Sequence, residues 1–212
     1  MIFKNANEAF EYYYDKINKD GIVVKDTKAL FNIGFEIQNP LDNVISNLNR
    51  NWDIKYAEAE WQWYLSGDSS IYRLGYIYGK IPKIWKNIAN EYGEVNSNYG
   101  SYWFYDNQYK EILEILKKDP ETRRASFSIY NANMIFTYEK DTPCTYAINF
   151  SILNGKLNMS VMMRSNDLWF GFCNDQYCFS RLQEKMASDL NVNVGTYFHF
   201  VNNFHLYNKH LK

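Results

Sequence analysis

Residues 146–163 read YAINFSILNGKLNMSVMM, and the centre of this stretch decides the fold. The runs 146–153 and 157–163 are rich in β-forming side chains and flank Asn154-Gly155. Asn-Gly tolerates positive φ at both residues of a two-residue link, so the chain is expected to double back as an antiparallel hairpin over 146–163. Two further runs, at 31–38 and 124–131 (RASFSIYN), predict strands of the same character. Asn7 is placed to cap a helix in which Phe10, Tyr14 and Ile17 fall at i, i+4 and i+7, with Gly21 to end it. Helices are also predicted at 56–66, at 82–91 with Pro82 near the first turn and Gly93 after the last, and at 107–118 ahead of Pro120. In 174–190, Cys178, Leu182, Met186 and Leu190 recur every four residues, which predicts a half-buried helix with one apolar stripe. Strand runs gather in the second half and do not alternate with helices. The expected class is therefore α+β, one domain over residues 1–212 with a mixed or antiparallel sheet packed against helices.

Composition narrows the partners. Of 212 residues 46% are hydrophobic and 18% aromatic, enough to fill a core and to line a pocket for a flat ligand. The net charge of −1 provides no basic field for a nucleic-acid backbone, so any phosphate must be held by a few placed arginines. No secretory segment opens the chain, and no apolar run approaches the roughly 18 residues that span a bilayer. Cys144, Cys173 and Cys178 are an odd set without CxxC spacing. Neither a disulfide framework nor a zinc site is expected, and a reducing cytoplasm suits them best.

Several positions could carry chemistry, and each has a plainer alternative. Cys144 sits in DTPCTY at the mouth of the hairpin, where it is either a presented nucleophile or a small buried apolar group. Arg123-Arg124 is expected to open a strand with its side chains on opposite faces, unless it is ordinary surface charge. Arg164, Ser165, Asn166 and Asp167 concentrate a guanidinium, a hydroxyl, an amide and a carboxylate at a strand end. His205 and Tyr207 share a face of a late strand, as packing residues or as ligands. Glu60, in EWQWYLSGD, is either solvated or desolvated among aromatic rings with a raised pKa. Tyr99, in NSNYG, lies beside a predicted loop.

In order along the chain, EWQWYLSGD, PKIW, NSNYG, RR, PCT, MRSND, GFCND and HLY resemble the signature blocks of thymidylate synthases and their pyrimidine hydroxymethylase relatives. The resemblance covers roughly residues 20–210 and is tightest to the cytidylate hydroxymethylase branch through EVNSNYG, MRSND and GFCND. It implies the thymidylate synthase fold and a folate-dependent one-carbon transferase that uses 5,10-methylenetetrahydrofolate as co-substrate and no metal. Cys144 is implied as the nucleophile toward pyrimidine C6. Glu60 is implied as the group that handles water and protons, assisted by Tyr99 and Asp167. Arg164 and Ser165, with Asn166 beside them, match the nucleotide site, and His205 and Tyr207 match ligands of the sugar hydroxyl. Glu60, Trp85, Asp167 and Gly171 match the folate site. Arg123 and Arg124 match a pair that completes the phosphate site of a partner subunit, so the resemblance implies a homodimer.

One departure bears on the substrate. Where the synthases carry Asn, this chain has Asp175 in Cys173-Asn174-Asp175. A carboxylate accepts from the 4-amino group of cytosine and meets uracil O4 as a second acceptor, so Asp175 favours dCMP or CMP over dUMP. Thr145 after the nucleophile, where the synthases usually carry His, points the same way. The N-terminal loop offers Lys25 or Lys28 for phosphate, and neither is assigned. Only five residues follow Tyr207, which leads to the expectation that closure over folate differs from that in the relatives. A synthase acting on dUMP and a nucleotide-binding relative without catalysis stay open as alternatives.

Overall fold

Asn154 and Gly155 adopt φ of 52° and 70°, and the flanking chain pairs antiparallel from Thr145–Met163 to Leu153–Lys156. This hairpin belongs to a computed structural model that describes residues 1–104, 107–131 and 140–212. In chain order the elements are β1 (Ile2–Phe3), α1 (Ala6–Asp20), β2 (Ile22–Val24), β3 (Thr27–Ile37), α2 (Ile54–Ser66), α3 (Ile71–Tyr78) and α4 (Lys83–Ile88). They continue with α5 (Tyr99–Phe104), α6 (Gln108–Lys118), β4 (Ser126–Ser128), β5 (Thr145–Leu153), β6 (Lys156–Asp167), α7 (Cys173–Leu190) and β7 (Asn193–Tyr207). A π-helical turn, Leu168–Phe172, joins β6 to α7 with no intervening loop.

The strands form one mixed sheet in the order β1-β3-β7-β6-β5-β4, with β2 paired to β3. β6 and β7 run parallel, and α7 supplies the crossover that parallel neighbours need. One face of the sheet packs on α1 and α7: Phe35, Ile37, Val161, Met163, Tyr197 and Val201 are buried there with Phe10, Ile17, Leu182 and Met186. The alternation of buried residues changes phase near one end of the sheet. On β6 it follows odd positions through Met163 and even ones from Asn166; on β7 it is odd through Val201 and even from Phe204. The neighbouring strands are irregular at the same level, with a bulge between Thr145 and Ala147 on β5 and φ of 54° at Asn32 on β3. Aligned irregularities of this kind re-aim side chains, and these gather the ends of β5, β6 and β7 around Cys144.

Several sequence expectations shift by a few residues. The cap of α1 is Asn5, whose side chain accepts from Glu8 N, whereas Asn7 accepts from Ser46 N and ties α1 to a distant loop. The strand expected over 124–131 shortens to Ser126–Ser128. Arg123 and Arg124 consequently open no strand and do not face opposite sides of one; both are exposed in the irregular stretch before it. The helix expected over 82–91 spans only Lys83–Ile88, because Ala89 turns to extended φ and ψ. Helix α7 is more deeply buried than its apolar stripe implies. Gln176 and Gln183 lie inside and donate to the carbonyls of Asn43, Cys173, Leu157 and Thr196. Among the described residues no helix is long and apolar enough to cross a membrane.

Candidate active site

Helix α2 is set by its ends. Asp53 caps it by accepting from Lys55 N and Tyr56 N, and Gly67 ends it at φ 63°. Within it Glu60 is 4% exposed, between the tyrosines one turn away on either side. Tyr56 OH lies 3.1 Å and Tyr64 OH 3.5 Å from Glu60 Oε1, while buried Oε2 has no hydrogen-bond partner among the described residues. Desolvation, then the nearby Asp175 carboxylate, push the Glu60 carboxyl up to about 8.

Tyr99 begins α5, directly after the irregular stretch 96–98. It reaches the site because Gly100 presses on α2: a Cβ there would stand 1.7 Å from the Tyr64 carbonyl oxygen. The phenol of Tyr99 is buried and accepts from Thr145 N at 3.3 Å, next to Cys144.

The loop bearing Cys144 is held from several sides. Arg164 N donates to Cys144 O at 2.8 Å, and the Arg164 guanidinium donates to Thr142 O at 2.6 Å and Pro143 O at 3.1 Å. Tyr130 OH donates to the same Pro143 carbonyl at 2.8 Å. Asp141 accepts from Ser97 N and Oγ at 2.7 and 2.5 Å, joining this loop to the NSNYG segment. The Cys144 thiol is pushed up to about 11 by burial; Arg164 opposes this, and Asp175, Asp141 and Asp167 add to it. The free protein therefore holds a thiol that is poised geometrically and not yet ionised.

The end of β6, the π-helical turn and the start of α7 supply the remaining groups. Asn166 Nδ2 donates to Asp175 Oδ2 at 2.7 Å, and Asn166 Oδ1 is buried without a partner among the described residues. Burial pushes the Asp175 carboxyl up to about 7, Asn166 pulls it down, and Asp167 raises it. Gly171 lies against this pair, since a Cβ there would stand 2.8 Å from Asn166 Nδ2 and 3.4 Å from Asp175 Oδ2. Asp167 caps the turn by accepting from Trp169 N at 3.0 Å and Phe170 N at 3.2 Å, and burial raises its pKa. In register Asp167 is opposite His205 and Ser165 is opposite Asn203. His205 Nδ1 lies 2.9 Å from Asn203 Oδ1, and its ring meets that of Tyr207 edge-on at 5.4 Å.

Cys144, Glu60, Tyr99, Asp167 and Asp175 are thus brought into one electrostatic neighbourhood. Asp175 acts on Glu60, Tyr99 and Cys144, and Tyr207 senses Asp167 and Cys144. Arg123 and Arg124 are exposed on the segment before β4, and among the described residues no hydrogen bond or ion pair ties their side chains to this cluster. Lys28 Nζ donates to Asn18 O at 2.7 Å, and Lys25 is exposed at φ 53° in the turn between β2 and β3.

Sequence reasoning missed three contributors. Tyr56 contacts Glu60 and accepts from the Trp85 indole at 2.7 Å; only its i−4 spacing from Glu60 gave a signal. Trp52 donates to Asn174 Oδ1 at 2.8 Å. Arg50 donates to the Trp169 carbonyl and lies 5.0 Å from the centre of the Phe170 ring. The last two contacts cross more than a hundred residues of chain, and no local pattern carries them. Among the described residues no group of three His, Cys, Asp or Glu side chains is placed to hold a metal ion.

Comparison with known proteins bears on the whole arrangement. A family model described as thymidylate synthase matches residues 15–212. Deoxycytidylate 5-hydroxymethyltransferase of Enterobacteria phage T4 is 36% identical over 170 residues, covering 74% of this chain and 68% of the phage protein. Deoxyuridylate hydroxymethyltransferase of Bacillus phage SP01 is 32% identical over 195 residues, 86% of this chain and 51% of the relative. A thymidylate synthase of Buchnera aphidicola is 30% identical over 158 residues, 71% of this chain and 58% of the relative. Among solved structures, thermostable thymidylate synthase A from Bacillus subtilis superposes with a TM-score of 0.81 at 21% identity, over 97% of this chain and 81% of that one.

Proposed function

The chain belongs to the thymidylate synthase family, and from that premise we propose that it hydroxymethylates C5 of a cytidine monophosphate. The family's members are folate-dependent one-carbon transferases. The observation that carries the reading is Asp175: a carboxylate held by Asn166, close enough to Cys144 for its charge to act on the thiol. A carboxylate there accepts from an exocyclic amine, and the 4-amino group of cytosine is that donor.

In this reading Cys144 Sγ bonds to C6 of the ring, and the C5–C6 π pair becomes available at C5. Asp175 favours the positive charge that develops on the cytosine edge. When bound, 5,10-methylenetetrahydrofolate supplies a one-carbon unit at the oxidation level of formaldehyde. Glu60 takes the proton lost from C5 and orients the water that adds to the new exocyclic carbon. Expulsion of the Cys144 thiolate then restores the ring. The products balance as 5-hydroxymethyl nucleotide and tetrahydrofolate.

The residues present suit both ligands. Glu60 Oε2, Thr145 Oγ1 and Asn166 Oδ1 are buried acceptors without partners among the described residues, unmet hydrogen-bonding capacity that a nucleobase and water can fill. Gly171 leaves room for the Asn166 and Asp175 side chains to meet, and each Asp167 oxygen keeps a lone pair beyond its capping bond. Arg164 retains donors for phosphate beyond the two it gives to carbonyls. A homodimer is part of the proposal. Met162, Phe198 and Phe200 lie half-exposed on the sheet face away from α1 and α7, and Arg123 and Arg124 are exposed.

Because Asp175 titrates near 7, its protonated form can offer O–H to uracil O4, so uridylate hydroxymethylation is the second reading. Incubating the protein with dCMP, CMP and dUMP in turn, each with methylenetetrahydrofolate, tests both by mass spectrometry. Gain of one CH2O by a cytidine nucleotide without dihydrofolate supports the first reading, and the same gain only on dUMP supports the second. Dihydrofolate formation, or activity that persists in Cys144→Ala, refutes both.

A further inference from the structure

Tyr56 stands one turn before Glu60 on α2, with its hydroxyl between two partners. The Trp85 indole N–H donates to it at 2.7 Å, and Glu60 Oε1 lies 3.1 Å away. An indole N–H can only donate, so the phenol accepts from Trp85 and turns its own proton onto the carboxyl group. Tyr64 OH approaches the same oxygen at 3.5 Å, whereas Oε2 is buried without a partner among the described residues. The indole is itself fixed, meeting Trp63 edge-on at 5.1 Å. The two Glu60 oxygens are therefore chemically unequal before any ligand arrives.

We propose that Tyr56, oriented by Trp85, is a positioning residue that decides which Glu60 oxygen exchanges the proton: Oε1 is held as an acceptor, and Oε2 gives and takes it. The ionisable groups that face Glu60 are Tyr56 and Tyr64 on its own helix and Asp175 and Cys178 on α7. Of these, Tyr56 is the one whose hydroxyl is itself pinned by an N–H donor. The inference rests on the proposed function for the role of Glu60 in turnover.

Carboxyl 13C NMR of the full-length, ligand-free protein labelled at glutamate tests the idea independently of catalysis. In Tyr56→Phe the Glu60 midpoint rises by about one pH unit, the size of one lost hydrogen bond to an ionised group. In the turnover assay kcat falls about tenfold while KM for the nucleotide stays within about twofold, and the pH profile moves with the NMR midpoint. Trp85→Phe raises the midpoint by less in the native background and adds nothing in the Tyr56→Phe background, because it acts through the phenol. An unmoved midpoint in folded Tyr56→Phe overturns the proposal. If that variant does not fold, an unmoved midpoint in Trp85→Phe does so instead, as does an equal Trp85→Phe effect in both backgrounds. If no nucleotide is turned over but the midpoints move as described, the proposed function fails and the role of Tyr56 stands.

Discussion

Replacing Asn166 by Ala removes the donor that sits 2.7 Å from Asp175 Oδ2. A hydrogen bond to an ionised group contributes about 1.5–3 kcal/mol, and 1.36 kcal/mol corresponds to one pKa unit. Asp175, now near 7, should therefore rise to about 8–9. The sign follows from the role: only ionised Asp175 accepts from the cytosine amine, so activity on cytidylate climbs with pH through this pKa. At pH 7.5 the ionised fraction drops from about three-quarters to roughly a tenth at the middle of that range. The expected result is a fall of about eightfold in kcat/KM for cytidylate at pH 7.5, recovering by about pH 9.5, with uridylate turnover spared or raised. The assay follows tetrahydrofolate release and product mass with both nucleotides between about pH 6.5 and 9.5. A loss of equal size at every pH and for both bases would falsify this account and show that Asn166 does not act through the ionisation of Asp175.

Two further predictions concern stability. Glu60 and Asp175 have folded-state pKa values above those of an unfolded carboxyl, so their ionisation lowers stability as pH rises from about 4 to about 8. The unfolding temperature of Asp175→Asn should match that of the native chain near pH 4 and exceed it at pH 8, and a gain independent of pH would contradict the assignment. Gly100→Ala places a methyl group 1.7 Å from the Tyr64 carbonyl, so α2 and α5 must part, at a cost of about 3 kcal/mol or more in urea unfolding. Gly79→Ala meets nothing within 4 Å and bears only the strain of φ 88°, about 1 kcal/mol; equal losses in the two variants would refute the close-packing argument.

What the sequence made legible was local. Asn154-Gly155 announced its hairpin because both φ requirements reside in those two residues, whereas the sequence left Glu60 either solvated or desolvated among its aromatic neighbours, and packing, with Asp175 nearby, decides for the raised pKa. The family blocks named Glu60, Tyr99, Cys144 and Asp175, which lie close enough to act on one another electrostatically, and also Arg123 and Arg124, which lie exposed before β4. Other features depend on packing. Helix α3 reads YRLGYIY after its first residue, and Gly75 with so many aromatic and β-branched neighbours hides the helical period. Asn5 and Asn7 are equally good caps on composition, and the choice rests on Asp42 accepting from the Asn5 amide at 2.7 Å. β7 runs to 15 residues where only its last few were anticipated, because β3 and β6 pair with it on either side from remote parts of the chain. The Asn166–Asp175 bond joins residues named separately from the sequence, and nothing in their spacing showed that the amide faces the carboxylate.

The join of β6 to α7 through one π-helical turn, capped by Asp167, has an evolutionary corollary. Residues Arg164 to Asp175 follow one another along the end of β6, the π-helical turn and the start of α7 with no loop between them, while Cys144 lies on another segment. A lineage could alter side chains along that run without moving the segment that carries Cys144, provided Arg164, which holds the Cys144 loop, is kept.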